Sequence, residues 1–410
     1  MLISVEEAQS IILRDIHPLG AYEIRPLLES LGHLLGEDVR ADVDIPPFTN
    51  SAMDGFAVHH VDTLGASPSH PVTLHVVNTV RAGHPVTEEF AAGTCCKIMT
   101  GAPLPPSADA VVPVEWTRPA GQAGFVDVLQ PAQPQQYLRI QGEDMGRGTV
   151  ALSAGALVTP PAIGMLATIG AHHISIRRPP RVAIVSTGDE LVDPSEPLAP
   201  GKIRNSNSHA LYAAVLQAGG KPFLYPAAGD SVDAIKALFE TAGGQSDLLI
   251  SSGGVSVGDY DFVKPVIESL GELTLWRVNV KPGKPLAFGH VQGVPTLGLP
   301  GNPVSALVTF ELFVRPVIRA MLGDQRWQRP VVRLPLHDDF DQLADRRHYV
   351  RSRLISRQGR LWLSPHQNQG SAMQSSWHDV DALMIVPENT GPHRAGEELM
   401  ALILSLNHVS

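Results

Sequence analysis

The segment Asp247 to Lys264, DLLISSGGVSVGDYDFVK, gathers groups suited to phosphate and metal chemistry. Gly253 and Gly254 let backbone N–H groups approach an anion closely. Ser251, Ser252 and Ser256 add hydroxyl donors, and Asp259 and Asp261 can hold a divalent cation or orient a water. The same residues also suit an ordinary strand-to-helix turn, with glycine for geometry and aspartate for capping. Further along, VNVKPGKPL at Val278 to Leu286 sets Lys281 and Lys284 on a proline-stiffened turn, a suitable pair for polyanions or simply a solvated turn. GLPGNPVS at Gly298 to Ser305 ends an apolar run and opens a helical pattern from Val304 to Leu322, and helix N-termini attract anions.

These segments matter together because each follows a strand. From Arg181 onward the pattern alternates: strand RVAIVS, helix Asn207 to Ala218, strand Pro222 to Tyr225, helix Val232 to Thr241, strand DLLIS, helix Phe262 to Leu270, and further strands around Trp276 to Val280 and Thr296 to Leu299. Such alternation predicts a doubly wound, mainly parallel sheet covered on both faces. Loops that follow its strands gather at the C-terminal edge, where open α/β sheets bind ligands.

The rest of the chain predicts a multidomain α/β and β protein. A capping box, Ser4 with Glu7, opens a helix over Ser4 to Leu13, and a second helical pattern runs from Arg25 to Leu35. Short strands with Gly and Pro turns dominate from Asp54 to Gln141, and alternating strands return after Gln328. The expected division is a discontinuous N-terminal domain over 1–45 and 142–178, an inserted small β domain over 46–141, an α/β domain over 179–327 and a β-barrel-like C-terminal domain over 328–410.

Composition limits the partners. The chain of 410 residues carries a formal net charge of −10 and 43% hydrophobic residues. That balance argues against nucleic acid as the main partner, since phosphate-backbone binding needs a dominant basic surface. No apolar run of membrane-spanning length occurs and the acidic N-terminus is unlike a signal peptide, so a cytoplasmic protein is expected. Cys95 and Cys96 are adjacent, which suits two small apolar strand residues better than a disulfide framework or zinc ligands. Arg346, Arg347, Arg351, Arg353, Arg357 and Arg360 form a basic cluster after several aspartates; it is expected to be a solvated, partly self-neutralised face, with steering of an anionic substrate as the alternative.

TGDEL at Thr187 to Leu191, the glycine-serine loop, KPGKP and GLPGNPVSA together resemble the molybdopterin-binding domain of molybdenum cofactor biosynthesis proteins. PPFTNSAMDGFAV at Pro46 to Val58, IMTGAPLPPSADAVVPVE at Ile98 to Glu115 and GED at Gly142 to Asp144 extend the resemblance over nearly the whole chain, to the molybdopterin molybdenumtransferase family of the bacterial MoeA type, which is also similar to the C-terminal part of gephyrin. The resemblance implies a homodimeric enzyme that inserts molybdate into adenylylated molybdopterin and releases AMP, assisted by Mg2+. A molybdopterin adenylyltransferase sharing the α/β domain and a non-catalytic scaffold of the same fold are the alternatives.

Carried onto this chain, the family's pattern implies catalytic roles for Asp54, Thr100, Asp144, Glu190, Asp230, Asp261 and Lys281, with Asp54 supplied by the partner subunit. Glu190, Asp230 and Asp261 are the implied metal ligands. Gly253, Gly254, Ser256, Arg277, Lys284, Pro300, Pro303 and Ser371 are the implied substrate-binding positions. Each has a plainer local reading: Asp54-Gly55 as a turn, Thr100 and Asp144 as turn residues, Asp230 as the cap of the helix near Val232, and Pro300 and Pro303 as breakers. Arg277 stands where many members carry lysine, which keeps the charge but replaces a point cation with a planar fork.

Overall fold

A computed structural model of the chain describes residues 2–85, 87–255 and 262–407. Its backbone divides into two compact units: one comprises Ile24–Leu31 and Leu35–Ile176, and the other comprises the chain up to Glu23, Gly32–Leu34 and the part from Arg177 onward.

The first of these units is built around a sheet of six strands in the order Ala110–Pro113, Gly55–Val58, Thr94–Ile98, Val72–Val80, Phe125–Val128 and Thr117–Pro119. Cys95 and Cys96 lie side by side in Thr94–Ile98 and therefore face opposite apolar clusters as free, buried thiols, and burial pushes the Cys95 thiol up to about 12. Gly55 does not serve a sharp turn: it begins its strand, and a methyl group there would collide with the Val112 carbonyl of the neighbouring strand. The helical pattern of Arg25 to Leu35 is not realised. Pro26 ends a strand, the Leu27 N–H donates to the His172 carbonyl (2.9 Å), Leu27–Ser30 makes one 3₁₀ turn, and Leu35 bridges Ile176. Pairing with the segment around His172 to Ile176 satisfies this backbone in place of a helical ladder.

The larger unit carries the predicted α/β fold. Helix α1, Val5–Arg14, opens with the expected capping box: the Ser4 hydroxyl accepts from the Glu7 N–H (3.1 Å) and the Glu7 carboxylate from the Ser4 N–H (2.8 Å). Val5, Ala8 and Ile12 of α1 bury into the main apolar core of this unit. The sheet is formed by β1 Arg181–Ser186, β2 Lys221–Leu224, β3 Leu248–Ser252, β4 Gly271–Arg277, β6 Pro285–Val291 and β7 Val294–Leu299, while the short β5, Val280–Lys281, lies outside it. Its order is β2-β1-β3-β7-β6-β4; the first four strands are parallel, β6 runs against them, and β4, antiparallel to β6, runs in their direction again. Along β1 the side chains alternate between two cores, Val182 and Ile184 on one face, Ala183 and Val185 on the other. Burial on both faces is why a parallel strand reads as an unbroken apolar run.

Helices α2 Ser206–Ala218, α3 Val232–Gly243 and α4 Val263–Leu270 cover the sheet with a final rod made of α5 Pro303–Thr309, a π-turn over Phe310–Val314 and α6 Arg315–Met321. The C-terminal strands β8 Val331–Pro335, β9 Arg347–Arg357, β10 Arg360–Pro365, β11 Ala382–Val386 and β12 Glu398–Ile403 form the last sheet. Beyond β8, Leu336 bridges Leu363 of β10 and the His337 N–H donates to the Leu363 carbonyl (2.7 Å), so this sheet curls on itself around Val350, Leu354, Leu363, Met384 and Ala401. β5 pairs in parallel with β9, Lys281 opposite His348, and thereby ties the α/β sheet's last connection to the barrel.

One ion-pair cluster anchors the start of the α/β sheet. Asp247, just before β3, accepts from Arg178 (2.8 Å) and Arg181 (3.1 Å), and its side chain is 11% exposed. Burial alone would raise its pKa, but the two guanidinium groups outweigh it and hold the carboxyl at about 2. A folded pKa below the unfolded one stabilises the native state at neutral pH, and that stabilisation disappears as pH falls from about 4 through about 2. Asp247→Asn is therefore expected to cost about 2 kcal/mol at pH 7. Urea unfolding should show the gap between variant and wild type closing as pH falls toward 2; a gap that stays constant between pH 7 and pH 3 contradicts this origin.

Candidate functional site

The register of the parallel strands assembles the site. Ser186 of β1 pairs with Ser252 of β3, and Ser252 pairs with Leu299 of β7, so the three strands end level. Thr187 bridges Ala228 beyond β2, which brings that connection to the same edge. A cleft of about 1360 Å³ opens over these ends. Of the residues expected in the site, Glu190, Asp230, Gly253, Gly254, Lys281, Lys284, Pro300, Pro303 and Ser371 line it. Ser256, Asp259 and Asp261 lie outside the described residues.

Close packing explains the glycines. Gly253 (φ +94°) and Gly254 (φ +65°) take left-handed conformations, and a methyl group on Gly253 would stand 2.7 Å from the Thr187 carbonyl and one on Gly254 2.9 Å from the Thr187 hydroxyl. The Gly253 N–H donates to the Leu299 carbonyl (3.1 Å), so one of the two amides expected to face an anion is already committed. The helix start after β7 is similarly occupied. Pro303 has no N–H, and the Val304 N–H donates to the Ser371 carbonyl (3.1 Å), so the first donor of α5 holds the barrel's loop instead of facing the cleft.

The KPGKP turn supplies the positive charge. Gly283 (φ +111°) packs so tightly on Thr309 of α5 that a methyl group would come within 2.5 Å of its Cγ2. Lys281 and Lys284 are half-buried in the cleft wall, with no ion pair to either among the described residues. Opposite Lys281, His348 is 1% exposed, and burial and then the nearby Lys281 push its pKa down to about 4, so the ring is neutral at physiological pH. Arg277 is exposed on β4, opposite Pro285, and is not among the residues lining the cleft.

The far wall comes from the barrel. Ser371 accepts from the Asn302 amide (3.1 Å), and the loop before it is knitted to Arg351: the guanidinium donates to the carbonyls of Asn368 (2.8 Å) and Gly370 (3.2 Å), while Gln369 exchanges bonds with the Arg351 backbone. Most of the basic cluster is neutralised as expected, Arg347 by Glu6 and Glu388, Arg353 by Asp379 and Arg360 by Glu398. Arg351 is the buried exception. It is 1% exposed, with no carboxylate partner among the described residues, and burial lowers its pKa to about 10. Arg346 joins the cleft lining and pairs with its neighbour Asp345 (2.9 Å).

The acids form two groups. Asp230 and Asp189 are reciprocal, each carboxylate accepting the other's backbone N–H (3.3 and 3.1 Å). The cap of α3 is Ser231, whose hydroxyl accepts from Ala234, so Asp230 does not cap that helix. Glu190 follows the sharp backbone at Gly188 (φ +141°), whose missing side chain makes room for its carboxylate. No cluster of three or more His, Cys, Asp or Glu side chains suited to a metal exists among the described residues. In the other compact unit, the Asp54 carboxylate accepts from both the Thr100 N–H (2.7 Å) and hydroxyl (2.9 Å), bonds that hold it below the usual carboxylate range. Asp144 is exposed on a loop and donates its N–H to the Ile45 carbonyl (3.0 Å).

A cleft with paired lysines, convergent glycine turns and two carboxylates at the strand ends of an α/β sheet has the size and charge to suit a large, polyanionic ligand. Matches to the MoeA N-terminal region (domains I and II) over residues 3–170, a probable molybdopterin binding domain over 183–320 and the MoeA C-terminal region (domain IV) over 333–404 account for most of the chain. The molybdopterin molybdenumtransferase of Bacillus subtilis is 35% identical over 94% of this chain and 90% of its own length, and that of Haemophilus influenzae 33% identical over 100% of both. Molybdopterin molybdenumtransferase 2 of Mycobacterium tuberculosis is 41% identical over 78% of this chain and 80% of its own. The crystal structure of the molybdopterin biosynthesis moeA protein from Pyrococcus horikoshii OT3 superposes with a TM-score of 0.84 at 30% identity, covering 98% of this chain and 100% of that one. The chain belongs to the molybdopterin molybdenumtransferase family.

Proposed function

We propose that this enzyme inserts molybdate into the dithiolene of adenylylated molybdopterin and releases AMP. The observation that carries the reading is the convergence in one cleft of Lys281 and Lys284 with the level strand ends that carry Glu190, Asp230 and Gly253. Lys281 and Lys284 hold oxyanion charge, and Arg346 adds a cation from the barrel side. Ser371 and Asn302 close the end of the site toward the barrel. The dithiolene sulfurs belong to the substrate, which fits a cleft lined without cysteine.

Glu190 and Asp230 offer hard carboxylate oxygens on neighbouring loops, a donor set that fits Mg2+, which typically takes one or two carboxylates and completes its shell with water and phosphate oxygens. A cation there would offset phosphate charge as AMP departs. Glu190 and Asp230 would hold such a cation beside the strand ends.

The working form we infer is a cytoplasmic homodimer whose sites draw on both subunits. Asp54, held ready by Thr100, contributes from one copy to the cleft of the other. Exposed apolar side chains in the first unit, Ile24 (68%), Leu28 (79%) and Leu31 (53%), support burial against a second copy. No described helix is long and apolar enough to cross a membrane. Mixing Asp54→Ala protein with Lys281→Ala protein tests the arrangement: heterodimers should regain cofactor formation at one of their two sites, about a quarter to a half of wild-type activity being the expected scale for independent sites. Mixed dimers that form and stay inactive sink the shared site.

A further inference from the structure

Asn207, in the first turn of α2, is outside every position that the family's pattern suggested, yet it lines the cleft. Its side-chain amide nitrogen lies 2.7 Å from the Gly301 carbonyl and 2.9 Å from the Ser252 hydroxyl. A carbonyl oxygen only accepts, so the atom facing Gly301 must be the nitrogen, which fixes the orientation of the amide by chemistry. The second amide hydrogen then goes to Ser252 Oγ, which must accept it. The single proton of that hydroxyl is consequently directed elsewhere, and Ser252 is 3% exposed in the cleft wall with no hydrogen-bond acceptor for it among the described residues.

The same two bonds act on the loops. Ser252 precedes the Gly253-Gly254 turn and Gly301 sits in the centre of GLPGNP, so Asn207 pins the two turns at a fixed separation. It also occupies the Gly301 carbonyl, an acceptor that would otherwise repel an anion in the cleft. We propose that Asn207 is a positioning residue that presents the Ser252 hydroxyl as a donor to an anionic oxygen of the bound nucleotide-bearing substrate and withdraws the Gly301 carbonyl from it. This deepens the proposed function and rests on that reading for the identity of the ligand.

The test compares Asn207→Ala, Ser252→Ala and the double variant in the full-length protein, by calorimetric Kd for adenylylated molybdopterin without molybdate and by KM and kcat for AMP release. Loss of one hydrogen bond to a charged oxygen should weaken binding by about tenfold or more in each single variant. The double variant should be hardly weaker than Asn207→Ala, because both act through one hydroxyl. KM should rise with kcat little changed, the pattern of lost uniform binding, which a purely structural role does not produce. If Asn207→Ala fails to fold, Ser252→Ala, which removes one hydroxyl, still must show the weakened binding. Wild-type affinity in Ser252→Ala, or losses that multiply in the double variant, overturns the proposal. Tight binding without AMP release by the wild type would sink the proposed reaction and leave the binding comparison decisive here; no binding by the wild type would sink both.

Discussion

Lys281→Ala is expected to lower kcat/KM by about tenfold to a hundredfold, with folding little changed. A charge-assisted hydrogen bond to an oxyanion is worth about 1.5 to 3 kcal/mol, and each 1.4 kcal/mol is a factor of ten. The structure makes Lys281 a demanding position because, among the described residues, it makes no ion pair: the nearby Asp345 carboxylate bonds Arg346 instead, and its strand partner His348 is neutral. Its backbone, by contrast, is held by the β9 ladder and by Gly283 on Thr309, neither of which needs the ammonium group. Lys281→Arg should recover part of the loss, since charge returns with a different shape. Thermal unfolding measured beside the kinetics decides the origin; a drop in stability as large as the drop in activity assigns the residue to the turn and not to the ligand.

Removing the guanidinium of Arg351 should have the largest effect on stability. The charge is buried and spends its donors on the carbonyls of Asn368 and Gly370, so Arg351→Met leaves those acceptors unpartnered and frees the loop that carries Ser371. Hydrogen bonds from a charged donor are worth about 1.5 to 3 kcal/mol each, offset in part by relief of a buried charge, which places the loss near 3 kcal/mol. For a unit of this size that is about 6 to 12 °C in Tm. Substrate affinity should fall with it, because the Ser371 carbonyl and hydroxyl engage Val304 and Asn302 at the start of α5. A methionine variant as stable as wild type would mean that the buried charge costs as much as its bonds return.

Local signals carried the α/β unit well. RVAIVS and LLISS are apolar without a break because both faces of a central parallel strand are covered, and the Ser4-Glu7 box marks α1 through bonds that span three residues. The gathering of TGDEL, the glycine turn, KPGKP and GLPGNP on one edge follows from each being the segment after a strand, which is a property of topology and needs no contact information. Where tertiary pairing competes with local pattern, the sequence is silent. Arg25 to Leu35 has helical spacing, yet strand pairing claims its backbone; Ser231 takes the cap that Asp230 was equally suited to make. Arg351 has the charge pattern of an exposed face, and only the loop from His366 to Gly370, folding over it from the next connection, buries it. Asn207 and Ser371 act on partners 45 to 94 positions away, a relation no local motif encodes.

The measurement that bears most directly on the assigned reaction is AMP release from adenylylated molybdopterin by the purified protein, followed with and without molybdate and in the absence of ATP. Release that requires molybdate, matches the amount of active cofactor formed and is strongly slowed in Glu190→Gln and Asp230→Asn is the predicted result. Consumption of ATP to adenylylate molybdopterin, with no molybdate-dependent AMP release, would contradict it.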